Sequence, residues 1–315
     1  MTSAALRLVT PVALGAAALG AGASPQFKAS VDVVRVEALV TERGRPVTGL
    51  TAADFTVTDN GARQELTVRP LTSVDLDVVV ALDVSGSVQG DRLDRLRKAT
   101  RALVGALTPR DRTTLVAFNH LVTLGPADAA PDVLARRVER LAAAGATSLV
   151  DGTVLAMTWA SGRDRPVLVL VCSDGRDTTS WTRVDQALAL ARRSNGVVDV
   201  VLAGAMPSTV AARGRSASIR SGRPALESPS QALFEPVDEP SQRFLVELTG
   251  LTGGRMLDGH SSGLAATFAT SLAQFRTRYE ITYTPTAPAP GWHDVSVDVK
   301  GRRGATVHAR RGYQR

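Results

Sequence analysis

Apolar and polar residues alternate along the first part of the chain, from about residue 30 to residue 71. A period close to two predicts half-buried β-strands. In the first run the apolar positions are Val34, Val36, Ala38 and Val40, and the polar positions are Arg35, Glu37 and Thr41, with Leu39 as the exception. Shorter runs follow at residues 55–58 and 66–68, with a tight turn at residues 59–61 between them. Residues 28–72 are therefore predicted to form a small all-β module.

From residue 74 to residue 278 the pattern changes to apolar runs that alternate with helical periodicity. Residues 78–82 and 167–172 are uninterrupted apolar runs, which are typical of strands covered on both faces. Leu93, Leu96, Leu103 and Leu107 recur at helical spacing. Further strands are expected over residues 114–118, 121–124, 197–202 and 254–257, and helices over residues 131–142, 151–160, 184–193, 243–249 and 262–278. This alternation predicts an α/β fold with a Rossmann-like, doubly wound, mostly parallel sheet and helices on both faces.

Two segments interrupt or follow this alternation. Residues 207–240 are rich in Ser, Pro, Arg and Ala and show little periodicity, so they are predicted to form a flexible surface insertion. Residues 279–315 return to period two, at residues 279–283, 295–299 and 306–309. Because the two β segments flank the α/β core, we expect them to pack together as one small all-β domain.

The N-terminus has the features of a targeting segment. Arg7 precedes an apolar, Ala-rich stretch, and Ala21-Gly22-Ala23 supplies a small-residue cleavage pattern. Residues 1–23 are predicted to be a signal peptide, so the protein is expected to be secreted, periplasmic or on the cell surface. Retention of this segment as an anchor is the alternative. No later stretch is apolar enough to span a bilayer.

Composition and charge exclude several other classes of protein. The net charge is +7, but most of the basic residues are scattered among acidic ones. Two basic clusters, one at Arg213, Arg215, Arg220 and Arg223 and the other at Arg302, Arg303, Arg310 and Arg311, have no aromatic residues between them. Nucleic acid is therefore not the expected partner. Cys172 is the only cysteine, so an intramolecular disulfide is impossible, and we expect a small buried side chain there.

Three polar loops carry the candidate chemistry. Asp83, Ser85 and Ser87 follow the first apolar strand at alternate positions, and Asp174 follows the second. Thr147 lies on a loop that enters the next predicted helix. Because ligands of open α/β sheets bind beyond the carboxyl ends of the strands, we expect these loops to meet at one edge of the sheet.

This donor set consists of oxygen atoms alone, without His or Cys, which suits a hard cation better than zinc. The sequence predicts one bound Mg²⁺, with Mn²⁺ or Ca²⁺ as alternatives. Because the hydroxyls are neutral, the carboxylates must supply the neutralising charge. If either carboxylate binds only through water, the ion keeps a strong attraction for an anion. We therefore expect it to capture a carboxylate from an Asp or Glu of a protein partner.

The pattern Asp83-x-Ser85-x-Ser87 with Thr147 and Asp174 resembles the metal-ion-dependent adhesion site of von Willebrand factor A domains. The resemblance implies that Ser85 and Ser87 hold the ion directly and that Thr147 joins in the ligand-bound form. It also implies that Asp83 and Asp174 act directly or through water. The flanks, at residues 44–57 and 292–313, resemble the terminal modules of exported proteins of this kind from acidobacteria.

Several alternatives remain open on the sequence alone. One alternative is that Asp83 and Asp174 only cap helices or order their loops. Another is a structural or assembly subunit whose metal site is occupied but engages no partner. Asp151 is expected to cap its own helix, and Asp177 to be solvated. A phosphatase of the haloacid dehalogenase type requires a second carboxylate where this chain has Ser85.

A serine hydrolase would use the Gly-x-Ser-x-Gly motif at residues 259–263, with Asp298 and His308 on a different predicted domain. Such a motif arises easily by chance in a turn rich in Gly and Ser. The sequence therefore favours a binding module over an enzyme.

Overall fold

A computed structural model of the chain describes residues 33–203, 240–259, 263–287 and 289–315. The predicted signal peptide, the predicted insertion apart from Pro240, and the centre of the Gly-x-Ser-x-Gly motif lie outside these residues, as does the first of the two basic clusters. Within the described ranges, no helix is long and apolar enough to cross a membrane.

The secondary structure follows the predicted order of β, α/β and β segments. The first segment contains β1 (Val34–Glu42), β2 (Arg45–Pro46), β3 (Phe55–Asp59), β4 (Ala62–Arg63) and β5 (Thr67–Pro70). The middle segment contains β6 (Asp77–Asp83), α1 (Asp91–Gly105), β7 (Arg112–Phe118), β8 (Val122–Leu124), α2 (Pro131–Glu139), α3 (Leu149–Ala160), β9 (Val167–Ser173), α4 (Val184–Arg193), β10 (Val197–Leu202), α5 (Pro240–Thr252), β11 (Met256–Asp258) and α6 (Leu264–Arg276). The last segment contains β12 (Tyr279–Tyr283), β13 (Trp292–Val299), β14 (Ala305–His308) and β15 (Gly312–Gln314).

The middle segment forms a six-stranded sheet in the order β11-β10-β9-β6-β7-β8. Every neighbouring pair is parallel except β7 and β8, which are antiparallel. From β6 the chain passes to β7 on one side, and β9, β10 and β11 are added on the other side. The predicted fold class, a mostly parallel and doubly wound sheet, is confirmed.

Both faces of this sheet are covered, as the apolar runs require. Val79 and Ala81 of β6 face α3, α4 and α5, whereas Val78, Val80 and Leu82 face α1, α2 and α6. Successive side chains of a strand point to opposite faces, so an all-apolar run such as β6 belongs between two helical layers.

The two terminal segments form a sandwich of antiparallel sheets. One sheet has the order β14-β1-β12-β5, with β2 beside β1, and the other has the order β15-β13-β3-β4. Each sheet combines strands from before and after the α/β segment. The core between them is built from Val36, Ala38, Val40, Phe55, Val57, Tyr279, Ile281 and Val295. Phe55 and Tyr279 meet edge to face there, with ring centroids 5.3 Å apart.

The polar face of β1 differs from the prediction. Glu37 and Thr41 are buried on it, together with Leu39, so this strand is not half-buried along its length. Arg35 of the same strand donates to the carbonyl of Asp164, in the loop before β9. The strand is covered because this face meets the α/β segment, which a period-two pattern alone does not reveal.

Arg278 connects the β sandwich to the α/β segment. Its side chain is fully buried, and its guanidinium donates to the carbonyl oxygens of Glu37, His308 and Gly253 at 2.9–3.1 Å. These oxygens belong to β1, to β14 and to the turn after α5. Burial lowers the pKa of Arg278 to about 10, so the group stays charged near neutral pH.

A second buried polar cluster ties β3 to the C-terminal strands. His293 Nδ1 lies 2.7 Å from Asp59 Oδ1, and its Nε2 lies 2.7 Å from the carbonyl oxygen of Ala289. Because both neighbours are acceptors, this arrangement favours the charged imidazolium form, in which both ring nitrogens donate. Tyr283 and Tyr313 donate their hydroxyls to the other oxygen of Asp59.

We expect Arg278→Met to lower the free energy of unfolding by about 3–5 kcal/mol, because it removes a donor from three carbonyl oxygens and one partner from a buried group of charges. Urea denaturation measures the change. The control is Arg136→Met, which breaks an exposed pair with Asp132 and should cost less than about 1 kcal/mol. Equal losses in the two variants would contradict the role given to Arg278.

The His293 cluster should make stability depend on pH. The carbonyl of Ala289 raises the pKa of His293 and Asp59 adds to this, so the stabilisation is complete below the unfolded value of 6.5. It is lost as the pH rises through the raised folded value. Between pH 6.5 and pH 9, urea denaturation should show a steeper fall in stability for the wild type than for His293→Gln.

His308→Gln is the matched control for this measurement. Burial lowers the pKa of His308 to about 4, so as the pH falls this histidine takes up its proton in the unfolded chain before it does so in the folded protein. Its effect on stability should therefore appear only below pH 6.5. Parallel stability curves for wild type and His293→Gln above pH 6.5 would show that the imidazole is not held in its charged form.

Candidate metal-binding site

The carboxyl ends of β6 and β9 meet at the edge of the central sheet. The strands are paired in parallel up to Leu82 and Cys172, so Asp83 and Ser173 end them side by side. From β6 the chain continues to β7, and from β9 it continues to β10. These two connections lead to opposite sides of the β6–β9 pair. Such a switch point leaves a crevice above the strand ends, where open α/β sheets bind their ligands.

Asp83 is buried at this edge, with 2% of its surface exposed. Its Oδ1 accepts the Ser85 N–H at 2.9 Å, and its Oδ2 accepts the Ser173 hydroxyl at 2.9 Å. Burial raises the pKa of the Asp83 carboxyl, the bonds from Ser85 and Ser173 oppose the rise, and the charge of Asp174 adds to it. No Lys, Arg or His in the described ranges forms an ion pair with Asp83.

The hydroxyls of Ser85 and Ser87 lie side by side in front of Asp174. The two Oγ atoms are 3.1 Å apart, and Ser87 Oγ is 3.4 Å from Asp174 Oδ2. The single 3₁₀ turn over Gly86–Val88 brings them to the same side of the loop. The other carboxylate oxygen of Asp174 accepts the Arg176 N–H at 3.0 Å, which fixes the side chain at its base.

Thr147 lies on the adjoining loop. This loop is docked by two backbone bonds, from Gly86 N–H to Gly145 O and from Ala144 N–H to Val84 O. The Thr147 backbone exchanges bonds with Thr178, but its hydroxyl does not take part in the hydrogen bonds that join the other site residues. The structure thus brings Asp83, Ser85, Ser87 and Asp174 into one bonded group and holds Thr147 beside it.

The chemistry of this group fits a hard divalent cation. Mg²⁺ binds oxygen at about 2.0–2.1 Å in an octahedron, whose neighbouring ligands are about 3 Å apart. The separation of the Ser85 and Ser87 oxygens matches that spacing. In the part of the chain that the structure describes, no group of three or more His, Cys, Asp or Glu side chains could hold a metal. The cation would therefore rely on hydroxyls and water beside two carboxylates.

Sequence reasoning missed the residues that support the site. Ser173 orients Asp83 through its hydroxyl and accepts the Gly175 N–H. Thr178 and Thr179 both donate their N–H groups to the carbonyl of Thr147. The run of hydroxyl residues at 178–180 is the signal that could have identified this segment, since such side chains bond readily to loop backbone.

Two expectations about acidic residues were wrong. Asp151 does not cap its own helix, because α3 begins two residues earlier; it accepts the N–H groups of Trp181 and Thr182 instead. Asp177 is not simply solvated, because it accepts the Val150 N–H in the first turn of α3. The helix is thus capped from a distant loop, and that loop is held in turn by the helix.

Asp83, Ser87 and Asp174 also line a small cleft of about 50 Å³ with Arg92 and Arg95 of α1. Arg92 donates to the carbonyl of Ser87 at 2.9 Å. Cys172 lies in the wall of this cleft and is buried, as predicted, and burial raises the pKa of its thiol. A thiol of this kind is not a nucleophile at neutral pH.

Comparison with known proteins bears on the segment that carries the site. The sequence profile of the von Willebrand factor type A domain matches residues 78–176. No curated protein matches the chain. Among solved structures, an aerotolerance-related membrane protein from Bacteroides fragilis is 14% identical, with a TM-score of 0.45, and the match covers 64% of this chain and 98% of the other.

Two further solved structures are similar at the same level. The conserved hypothetical protein BatB from Bacteroides thetaiotaomicron is 16% identical, with a TM-score of 0.44 and coverage of 64% of this chain and 98% of that one. A von Willebrand factor type A protein from Catenulispora acidiphila is 12% identical, with a TM-score of 0.45 and coverage of 90% and 75%. The profile match spans β6, β9 and all five predicted ligands, and the chain therefore contains a von Willebrand factor type A domain.

Proposed function

We propose that this protein is an exported interaction module that binds a protein partner through a divalent cation, preferably Mg²⁺, with Mn²⁺ or Ca²⁺ as alternatives. Von Willebrand factor type A domains are typically protein-interaction modules. The observation that carries the proposal is the bonded group of Asp83, Ser85, Ser87 and Asp174 at the switch point of the sheet. The export of the chain rests on the targeting features of residues 1–23.

The five candidate ligands would have different roles in holding the ion. Ser85 and Ser87 offer neutral oxygens at the spacing of adjacent ligands. Asp83 and Asp174 supply two negative charges, one from a buried position and one from a partly exposed position. Asp83 is kept in place by Ser173 and by its own loop backbone, so it can serve without rearrangement. Thr147 lies next to this group and is the residue that would complete it.

A bound divalent cation supplies positive charge that attracts an anionic group. The two carboxylates, of Asp83 and Asp174, balance this charge only if both are ionised and close to the ion. The three hydroxyls, of Ser85, Ser87 and Thr147, add no negative charge. A ligand position open to solvent is then best filled by a carboxylate from outside. We therefore propose that an Asp or Glu side chain of the partner binds there.

An enzymatic role is less well supported by this site. A phosphatase of the haloacid dehalogenase type would need an acid where Ser85 stands and a lysine near the phosphate. In the described ranges, Lys98 lies on α1 and Lys300 follows β13 and donates to the carbonyl of Ala53. Neither lysine follows the carboxyl end of a strand of the central sheet.

The first test is calorimetric titration of Mg²⁺ and of Mn²⁺ into chelator-stripped protein. Wild type should bind one ion, and Asp83→Asn should lose binding by at least about tenfold, because it removes one of two charged ligands. Asp185→Asn, which changes an exposed carboxylate on α4, is the control and should bind as wild type does. If wild type binds neither ion, the proposal fails and a structural or assembly subunit becomes the better description.

A stability measurement separates loss of the ligand from loss of the fold. Without metal, the free energy of unfolding of Asp83→Asn should be higher than that of wild type or lower by no more than about 1 kcal/mol. The reason is that an amide oxygen still accepts the Ser85 N–H and no buried charge remains. At Mg²⁺ concentrations of about 100 Kd, wild type alone should gain about 2.7 kcal/mol. An equal gain in Asp83→Asn would place the ion elsewhere.

A further inference from the structure

Four large apolar side chains are strongly exposed in the described part of the chain: Val33, Leu121, Leu124 and Trp181. Trp181 is 95% exposed and Leu121 is 62% exposed. Single apolar residues on a surface are ordinary. These two are distinguished by their location, because each lies on a loop that bonds directly to the Thr147 loop of the candidate metal site.

Trp181 stands on a loop that is held firmly. Thr178 and Thr179 donate to the Thr147 carbonyl, and Asp151 accepts the N–H groups of Trp181 and Thr182. The backbone on both sides of the indole is therefore fixed to the metal-site loop and to α3. Trp181 is three residues from Thr178, so its backbone lies within about 10 Å of the residue that bonds to Thr147.

Leu121 stands on the turn between β7 and β8, which is also attached to this loop. The carbonyl of Asn119 accepts the Ser148 N–H at 2.8 Å, and the Asn119 side chain accepts the Leu121 N–H. The ring of His120 packs so closely on Gly145 that any side chain there would collide with it. Gly145 also has a φ of 77°, a backbone conformation that favours glycine.

Basic side chains lie along the same site. Arg92 and Arg95 line the cleft beside Ser87 and Asp174, and the exposed Arg176 follows Asp174. Three arginines and two apolar side chains thus lie on or beside the loops that would hold the ion. This combination is complementary to an acidic segment that also carries large apolar side chains.

We propose that Trp181 and Leu121 are partner-contacting residues, and that the partner is a protein loop in which the metal-binding Asp or Glu is flanked by large apolar side chains. The inference rests on the proposed function, since the partner carboxylate anchors the loop. A rigid tryptophan loses little freedom on binding and offers a large apolar area, which is why tryptophan dominates many interfaces. A standard interface buries about 800 Å² per partner, enough to include the metal and both side chains.

The test uses a phage-displayed library of random disulfide-closed peptides, selected on wild-type protein in Mg²⁺ and eluted with chelator. Selected peptides should carry Asp or Glu next to aliphatic or aromatic residues. As synthetic peptides they should bind Trp181→Ser about tenfold or more weakly than wild type, and Leu121→Ser several-fold more weakly. Val33→Ser changes an apolar residue just before β1 that is 59% exposed, close to the value for Leu121, and should leave binding unchanged.

The outcomes separate this inference from the proposed function. Peptides that need Mg²⁺ and Asp83 but bind Trp181→Ser as tightly as wild type would overturn the inference and leave the metal-dependent function standing. Peptides that bind Asp83→Asn normally would count against both. A selection that gives no chelator-eluted peptide, on protein that binds Mg²⁺ by calorimetry, would overturn the inference. The Trp181→Ser protein should unfold at the wild-type urea concentration, because its side chain contacts solvent.

Discussion

The parallel pairing of β6 with β9 is the constraint on which the candidate site depends. It places Asp83 and Ser173 at the same level, so the serine hydroxyl can hold the buried carboxylate. A buried carboxylate without a cationic partner is costly, and its raised pKa reflects that cost. Asp174 follows the second strand and increases the repulsion. The two strand ends therefore concentrate negative charge at one point, which a bound cation would relieve.

A second constraint lies in the way that the flanking segments pair with each other. The sandwich cannot form from either terminus alone, because β1 pairs with β12 and β14, and β3 pairs with β13. Arg278 stands where the last helix meets this sandwich and satisfies carbonyls from three separate segments. Buried charges of this kind add little net stability, but a mispaired arrangement would leave them unsatisfied. We infer that Arg278 helps to select one arrangement of the flanks on the α/β segment.

The parts of the fold that were predicted from sequence are those governed by local pattern. The apolar runs gave β6, β9 and β10, and the helical spacing gave α4 with its correct ends. The two-residue strands β2 and β4 and the three-residue strand β15 escaped prediction, since such short pieces become strands only through their partners.

The burial of Glu37 was missed for a related reason: it depends on a contact with the α/β segment. The candidate ligands were identified from spacing and strand position, and four of them do form one group. The roles of Asp151 and Asp177 could not be identified in that way. Each bonds to a segment about thirty residues away, and only the folded chain brings those atoms together.

Thr147 connects the metal site to the apolar residues around it. Its hydroxyl stands outside the bonded group, whereas its carbonyl holds Thr178 and Thr179. A shift of the Thr147 backbone would therefore move the start of the Trp181 loop, or break those two bonds. Gly145 lies at the other end of this loop, where its φ of 77° favours glycine and the His120 ring packs against it. The Thr147 loop thus connects the candidate metal site directly to the loop that carries the exposed indole.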